Sequence, residues 1–120
     1  MRIFVPCDAA ALSVGADKVA RAIAGEAARR GIDIALVRNG SRGMLWLEPM
    51  VEVETAAGRV AYAPVRPADV ASLFDAGFQV GGAHRLNLGL TEKIPYFARQ
   101  QRLVFARCGI TDPLSLADYI

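Results

Sequence analysis

Residues 2–37, RIFVPCDAAALSVGADKVARAIAGEAARRGIDIALV, place a long amphipathic segment between two short apolar ones. Residues 2–6 predict a strand that ends at a proline. The middle segment repeats an apolar residue at every fourth position, at Val19, Ile23 and Ala27. This spacing predicts a helix that starts after an N-cap at Ser13 and ends near Arg30. Residues 32–37 are apolar apart from one aspartate, which is typical of a strand covered on both faces, so the three segments together predict a right-handed βαβ unit.

The chain up to about residue 80 adds a hairpin and a second helix. Residues 50–55 alternate between valines on one face and glutamates on the other, and residues 59–63 return as the hairpin partner. Pro67 suits the first turn of a helix that ends at Gly77. The order β-α-β-β-β-α predicts an α/β, thioredoxin-like fold with a mixed sheet of about four strands and two helices. The predicted core residues are Val19, Ile23, Ile34, Leu36, Val51, Val53, Val70 and Phe74.

The pattern changes after the glycine pair at residues 81–82. Residues 83–120 contain short helical and extended pieces, but no amphipathic stretch long enough to form a second core. We therefore predict a domain at residues 1–80, followed at residues 81–120 by an irregular linker or arm that packs on another surface.

Charge and composition argue against several function classes. The 14 basic and 12 acidic side chains leave a net charge of +2, and the arginines are scattered, so we expect no nucleic-acid partner. No apolar run is long enough to span a bilayer, and the N-terminus lacks the features of a signal peptide, so we expect no membrane contact and a cytoplasmic location.

Cys7 and Cys108 lack a CxxC partner and are expected to be free thiols, with Cys108 buried as a small residue.

Two segments carry a family resemblance. Residues 5–16, VPCDAAALSVGA, and residues 41–51, SRGMLWLEPMV, resemble the two cluster-binding loops of thioredoxin-like [2Fe-2S] ferredoxin domains, which occur in complex I, NAD-reducing hydrogenases and formate dehydrogenases. The family's first loop has a cysteine, four residues, a cysteine and then the Gly-Ala found here at residues 15–16. Its second loop has a cysteine, three residues, a cysteine and then a short stretch to a proline, here Pro49, which thioredoxin-like folds often hold in the cis form.

On this alignment none of the four cluster-ligand positions is a cysteine. They hold Pro6, Ala11, Ser41 and Leu45. A [2Fe-2S] cluster needs about four protein ligands, normally thiolates, and proline, alanine and leucine cannot ligate iron. Cys7 lies one residue from a ligand position, but a single thiolate cannot hold the cluster. The resemblance therefore implies a clusterless domain with no catalytic, cofactor or metal residue of its own.

Residues 94–104, 107–113 and 118–120 resemble the segment that leads into the FMN- and NADH-binding domain of the same subunits. A clusterless domain followed by this lead-in most resembles the beta subunit of soluble, molybdenum- or tungsten-dependent formate dehydrogenase. The resemblance implies that the parent enzyme passes electrons from formate to NAD, with the FMN, NAD and [4Fe-4S] sites beyond Ile120. The implied partners are the flavin domain of the same subunit, the gamma subunit with its [2Fe-2S] cluster and the molybdopterin-containing alpha subunit.

Alternatives remain open from the sequence. The same domain occurs in NAD-reducing hydrogenases and complex I-type diaphorases, whose electron donor is oxidised by a different chain. A separate class is an autonomous thioredoxin-like thiol protein, in which Cys7 would be the nucleophile. The large apolar residues beside the second loop either fill the space of the missing cluster or form a docking patch. These residues are Met44, Trp46 and Leu47.

Two other features have weak functional signals. His84 is the only histidine and has no Cys, His or carboxylate pattern around it, so we expect no metal there. Residues 39–43, NGSRG, lack the Gly-Lys-Ser/Thr of a phosphate loop and are better explained as part of the ferredoxin-like loop.

Overall fold

A computed structural model, which describes all of residues 1–120, shows a five-stranded sheet. The strands are β1 (Arg2–Phe4), β2 (Ala35–Val37), β3 (Val51–Thr55), β4 (Gly58–Tyr62) and β5 (Asn87–Leu90). Their order across the sheet is β2-β1-β3-β4-β5, with β1 and β2 parallel and every other pair antiparallel. The predicted α/β class with a mixed sheet is confirmed, and the sheet has one strand more than the four expected.

Five helices accompany the sheet. They are α1 (Ala9–Ser13), α2 (Ala16–Arg30), α3 (Val70–Asp75), α4 (Pro95–Ala98) and α5 (Leu116–Tyr119), with short 3-10 turns at Leu45–Leu47, Pro67–Asp69, Phe78–Val80 and Thr91–Lys93. The predicted N-cap at Ser13 is wrong, because Ser13 ends α1 and its hydroxyl donates to the carbonyl oxygen of Ala10 at 2.7 Å. The capping position of α2 is Gly15, whose positive φ of 96° allows the sharp turn between the two helices. None of the helices combines the length and the apolar character needed to cross a bilayer.

Helices α2 and α3 pack on one face of the sheet and form the main core with it. Six of the predicted core residues are buried there: Val19, Ile23, Val51, Val53, Val70 and Phe74. Ile34 and Leu36 are only half-buried and pack against the outside of this core. The expectation that their strand is covered on both faces is wrong, because β2 is an edge strand and its Ala35 is exposed.

The opposite face of the sheet is covered by the loop after β2 and by the C-terminal part of the chain. A second apolar cluster lies there, formed by Met44, Met50, Ala61, Ala63 and Phe97. Residues 87–90, assigned to the irregular arm, instead form β5 against β4 with a shift in register. The sequence did not show this strand because it is four residues long and contains Gly89. The arm, expected to pack on another surface, packs through Phe97 and Gly109 on the domain's own sheet.

Candidate functional site

The two ferredoxin-like loops lie side by side at one end of the sheet. The backbone N–H of Cys7, after β1, donates to the carbonyl oxygen of Asn39, after β2, at 2.9 Å. Arg38 crosses between the same loops, donating to the carbonyl oxygen of Pro6 at 3.2 Å and to the Asp17 carboxylate at 2.6 Å. The first loop is therefore held by hydrogen bonds that involve no thiol.

The side chains at the four positions expected to align with cluster ligands lie in different environments. Pro6 and Ala11 are buried, and Ala11 belongs to the main core, whereas Leu45 is exposed. Ser41 is half-buried; its hydroxyl donates to the Glu48 carboxylate at 2.8 Å and accepts from the Gly43 N–H at 2.9 Å. Ser41 therefore supplies a hydrogen-bonded turn that shapes the second loop.

Glu48 is a buried carboxylate at the end of the second loop, and the sequence pattern did not single it out. It accepts hydrogen bonds from the Ser41 hydroxyl and, at 2.9 Å, from the backbone N–H of Met50, and its bond to Pro49 is cis. Burial raises the pKa of the Glu48 carboxyl, and the two hydrogen bonds oppose that rise. The carboxylates of Asp8 and Glu52 raise the pKa further. In the sequence, the only sign of the buried Glu48 carboxylate is that a glutamate directly precedes Pro49.

The three candidate contact residues beside this loop separate into two roles. Met44 is 1% exposed and belongs to the second apolar cluster, and Leu47 packs half-buried against the same cluster. Trp46 is 62% exposed, and its ring meets that of Tyr96 edge to face at 5.1 Å between centroids. Met44 and Leu47 therefore fill the interior of the loop, while Trp46 lies on the surface.

A groove of about 760 Å³ lies next to the Trp46–Tyr96 pair, between the second loop and the arm. Its walls include Arg42, Tyr96, Arg102, Leu103, Phe105 and Cys108. The prediction that Cys108 is buried is wrong, because the arm forms an open turn at this point and leaves the residue exposed. The groove was missed from the sequence because its walls come from segments about 60 residues apart.

A buried ion pair connects the loop after β2 to the sheet. Arg42 donates to both carboxylate oxygens of Glu52, from Nε at 3.1 Å and from Nη2 at 2.9 Å, and the side chains are 6% and 2% exposed. Arg42 Nη1 also donates to Glu92 at 3.0 Å, and Arg59 lies 3.8 Å from the Glu52 carboxylate. Burial lowers the pKa of the Arg59 guanidinium, and Glu52 opposes that shift. Glu52 thus faces away from the valine side of β3 as predicted, but it is covered by the loop and arm.

The arm is held on this face through its backbone carbonyl groups. Arg59 donates to the carbonyl oxygens of Gly109 at 2.8 Å and Ile110 at 2.6 Å, and Asn39 Nδ2 donates to that of Gly109 at 2.6 Å. In the reverse direction, Arg102 of the arm donates to the carbonyl oxygen of Arg42 at 2.6 Å. The buried charges therefore fix both the loop and the arm that form the groove.

His84 lies far along the chain from the two loops, and its ring is held by hydrogen bonds to Leu86 and Ser72. The backbone N–H of Leu86 donates to His84 Nδ1 at 3.2 Å, which assigns the proton to Nε2 and makes it a donor to the Ser72 hydroxyl at 3.0 Å. That hydroxyl in turn donates to the carbonyl oxygen of Asp69 at 2.8 Å. In this tautomer His84 cannot act as a base for Ser72. No group of three or more His, Cys, Asp and Glu side chains is arranged to hold a metal ion.

Comparison with known proteins bears on the fold. No protein-family model matches the chain, and no curated protein matches it. Among solved structures, the wild-type thioredoxin-like [2Fe-2S] ferredoxin from Aquifex aeolicus is 16% identical, with a TM-score of 0.55 over 73% of this chain and 95% of the ferredoxin. A cysteine-to-serine variant of that ferredoxin is 17% identical, with a TM-score of 0.55 over 73% of this chain and 97% of its own. These similarities show that the chain has the predicted thioredoxin-like fold.

Proposed function

We propose that this chain is a clusterless docking domain of the NAD-reducing beta subunit of a cytoplasmic, molybdenum- or tungsten-dependent formate dehydrogenase. One observation carries the proposal: the chain shares the thioredoxin-like fold of a [2Fe-2S] ferredoxin, yet the residues that we align with the ferredoxin's cluster ligands are Pro6, Ala11, Ser41 and Leu45. A domain that keeps this fold without the ligands is suited to assembly rather than to electron transfer. The resemblance of residues 94–120 to a flavin-domain lead-in supports the choice of enzyme.

The parent enzyme would convert formate and NAD to carbon dioxide and NADH through FMN and iron–sulfur clusters held outside this chain. In our proposal, residues 1–120 carry out no catalytic step of the parent enzyme. Their part is to contact the flavin domain of the same subunit, or the gamma or alpha subunit. Trp46 is suited to such a contact, because large exposed aromatic side chains often supply most of the affinity at protein interfaces.

The purified chain should not acquire the absorbance or the paramagnetic signal of a [2Fe-2S] cluster after anaerobic reconstitution with iron and sulfide. The reason is that the four ligand positions offer no thiolate, and the chain's two cysteines are 101 positions apart in sequence, one half-buried and one exposed. Optical and electron paramagnetic resonance spectra, with iron and sulfide analyses, provide the measurement. Stoichiometric iron and sulfide would show that the alignment of the two loops is wrong.

Replacement of Trp46 with alanine should weaken association with a complex of the flavin domain and gamma subunit at least about tenfold, or ~1.4 kcal/mol. The variant should keep its stability, because Trp46 is mostly exposed. The matched variant is Met44→Ala in the same loop, which removes a buried side chain and should cost about 2–5 kcal/mol of stability while leaving association unchanged. Biosensor titrations and denaturant unfolding measure the two effects. An association that is equally tight for Trp46→Ala and wild type would contradict the docking role of Trp46.

A further inference from the structure

We propose that the groove between the second loop and the arm binds an acidic protein segment anchored by an apolar side chain. This inference rests on the docking role proposed above and deepens it by naming the chemistry of the partner. The groove has a volume of about 760 Å³, which is enough for one or two large side chains of a partner. Two independent properties lead to this assignment: the apolar exposure of its walls and the unpaired charge of the arm that forms one of them.

The apolar property comes from three consecutive residues on the arm. Leu103, Val104 and Phe105 line the groove and are 91%, 89% and 64% exposed. None of them belongs to either apolar cluster of the fold. Tyr96 forms the adjacent wall, and exposed Trp46 packs against it. Contiguous exposed apolar surface of this kind is typical of a binding site rather than of an ordinary solvated surface.

The charge property comes from the cations of the arm, of which Arg102 lines the groove itself. Between Glu92 and Asp112 the chain contains no acidic residue. The four basic residues in that interval have no carboxylate within ion-pair distance; they are Lys93, Arg99, Arg102 and Arg107. Seven arginines elsewhere each pair with a carboxylate: Arg2, Arg29, Arg30, Arg38, Arg42, Arg59 and Arg85. The arm therefore carries uncompensated positive charge, which a negatively charged partner complements.

The shape of the surface favours a protein segment over other polyanions. Binding to anionic membranes commonly uses an amphipathic helix that lies in the interface, and residues 99–115 contain no helix. Single-stranded nucleic acid stacks successive bases on several open aromatic faces, whereas Phe105 is the one aromatic residue of the groove without a ring partner, because Tyr96 meets Trp46 edge to face at an interplanar angle of 89°. A concave groove with an apolar wall and cations nearby matches a side-chain anchor flanked by Asp or Glu.

The probe for the test is a short fluorescein-labelled peptide of Asp, Glu and Gly residues with one central Phe, added to residues 1–120. Fluorescence anisotropy should show binding that weakens as ionic strength rises. Phe105→Ser, in the groove wall, and Arg99→Glu, directly before the wall residue Gln100, should each weaken binding at least about tenfold. The matched variants Val80→Ser and Arg21→Glu change exposed residues away from the groove and should bind the peptide like wild type. Peptides with Ser in place of the Phe, or Lys in place of the acids, should bind at least about tenfold more weakly.

Each other outcome has a defined meaning. Tighter binding to phosphatidylserine vesicles or to oligothymidine than to the peptide would overturn the inference in favour of a membrane or a nucleic acid. Absence of peptide binding, with Trp46→Ala still weakening association with the flavin domain and gamma subunit, would overturn the groove inference and leave the docking function intact. Groove-dependent peptide binding without any association with those subunits would contradict the proposed function and leave the groove inference standing.

Discussion

Replacement of Arg42 with methionine should lower the free energy of unfolding by about 3–5 kcal/mol. The change leaves the Glu52 carboxylate buried, with Arg59, 3.8 Å away, as its remaining cation. The uncompensated charge is the main cost, because methionine fills much of the volume of the arginine side chain. Urea unfolding followed by circular dichroism measures the loss, and hydrogen exchange should show faster exchange at the amides of residues 99–111.

The same face of the sheet supplies a matched control. Arg2→Met removes the partner of Glu54, two residues from Glu52 on β3, in an ion pair of 2.5 Å that is exposed to solvent. Exposed pairs contribute about 0–1 kcal/mol, so this variant should be almost as stable as wild type. If Arg42→Met and Arg2→Met cost the same, the buried pair does not hold the arm on the sheet.

The surroundings of the buried Arg42–Glu52 pair could be predicted only in part from the sequence. The alternation of residues 51–54 correctly assigned the two glutamates to one side of the strand, since side chains in a strand point to opposite faces. It could not say what covers that side. Glu52 is buried and Glu54 is exposed because the loop containing Arg42 and the arm reach only the first of them.

The elements that the sequence predicted well are those defined by local periodicity. The long helix, the hairpin of β3 and β4 and the short helix after Pro67 are all present, because each of these buries one regular face against the same core. The edge position of β2 and the existence of β5 depend on pairing with distant strands, which no local pattern records.

The candidate site shows the same division. The residue types at the four positions aligned with cluster ligands can be read directly from the sequence. The burial of Met44 and the exposure of Trp46 could not be predicted, because both are large apolar residues in one short loop. The 3-10 turn that follows Met44 and contains Trp46 sends one inward and the other outward. The groove was still harder to predict, since one wall comes largely from residues 100–108, which form no regular helix or strand.

Gly109 of the arm lies against the Arg42 side chain of the buried pair, and Gly109→Ala should cost about 2–4 kcal/mol. Gly109 has a φ of +79°, which an alanine adopts at a cost of about 1–2 kcal/mol. A Cβ atom there would lie 2.4 Å from Cδ of Arg42 and 2.9 Å from its Nε, so Arg42 must move away from Glu52 or the arm must detach. Chemical unfolding measures the loss, and faster amide exchange confined to the arm identifies detachment.

Gly89→Ala separates the backbone cost from the contact with Arg42. Gly89 has nearly the same φ, +78°, but a Cβ atom there would meet nothing within 4 Å, so only the conformational cost of about 1–2 kcal/mol is expected. A double-mutant cycle then tests the coupling: in an Arg42→Met background, Gly109→Ala should cost less than in wild type, because the methionine is no longer held by Glu52 and can rotate aside. Additive losses in this cycle would mean that Gly109 and the buried pair hold the arm independently.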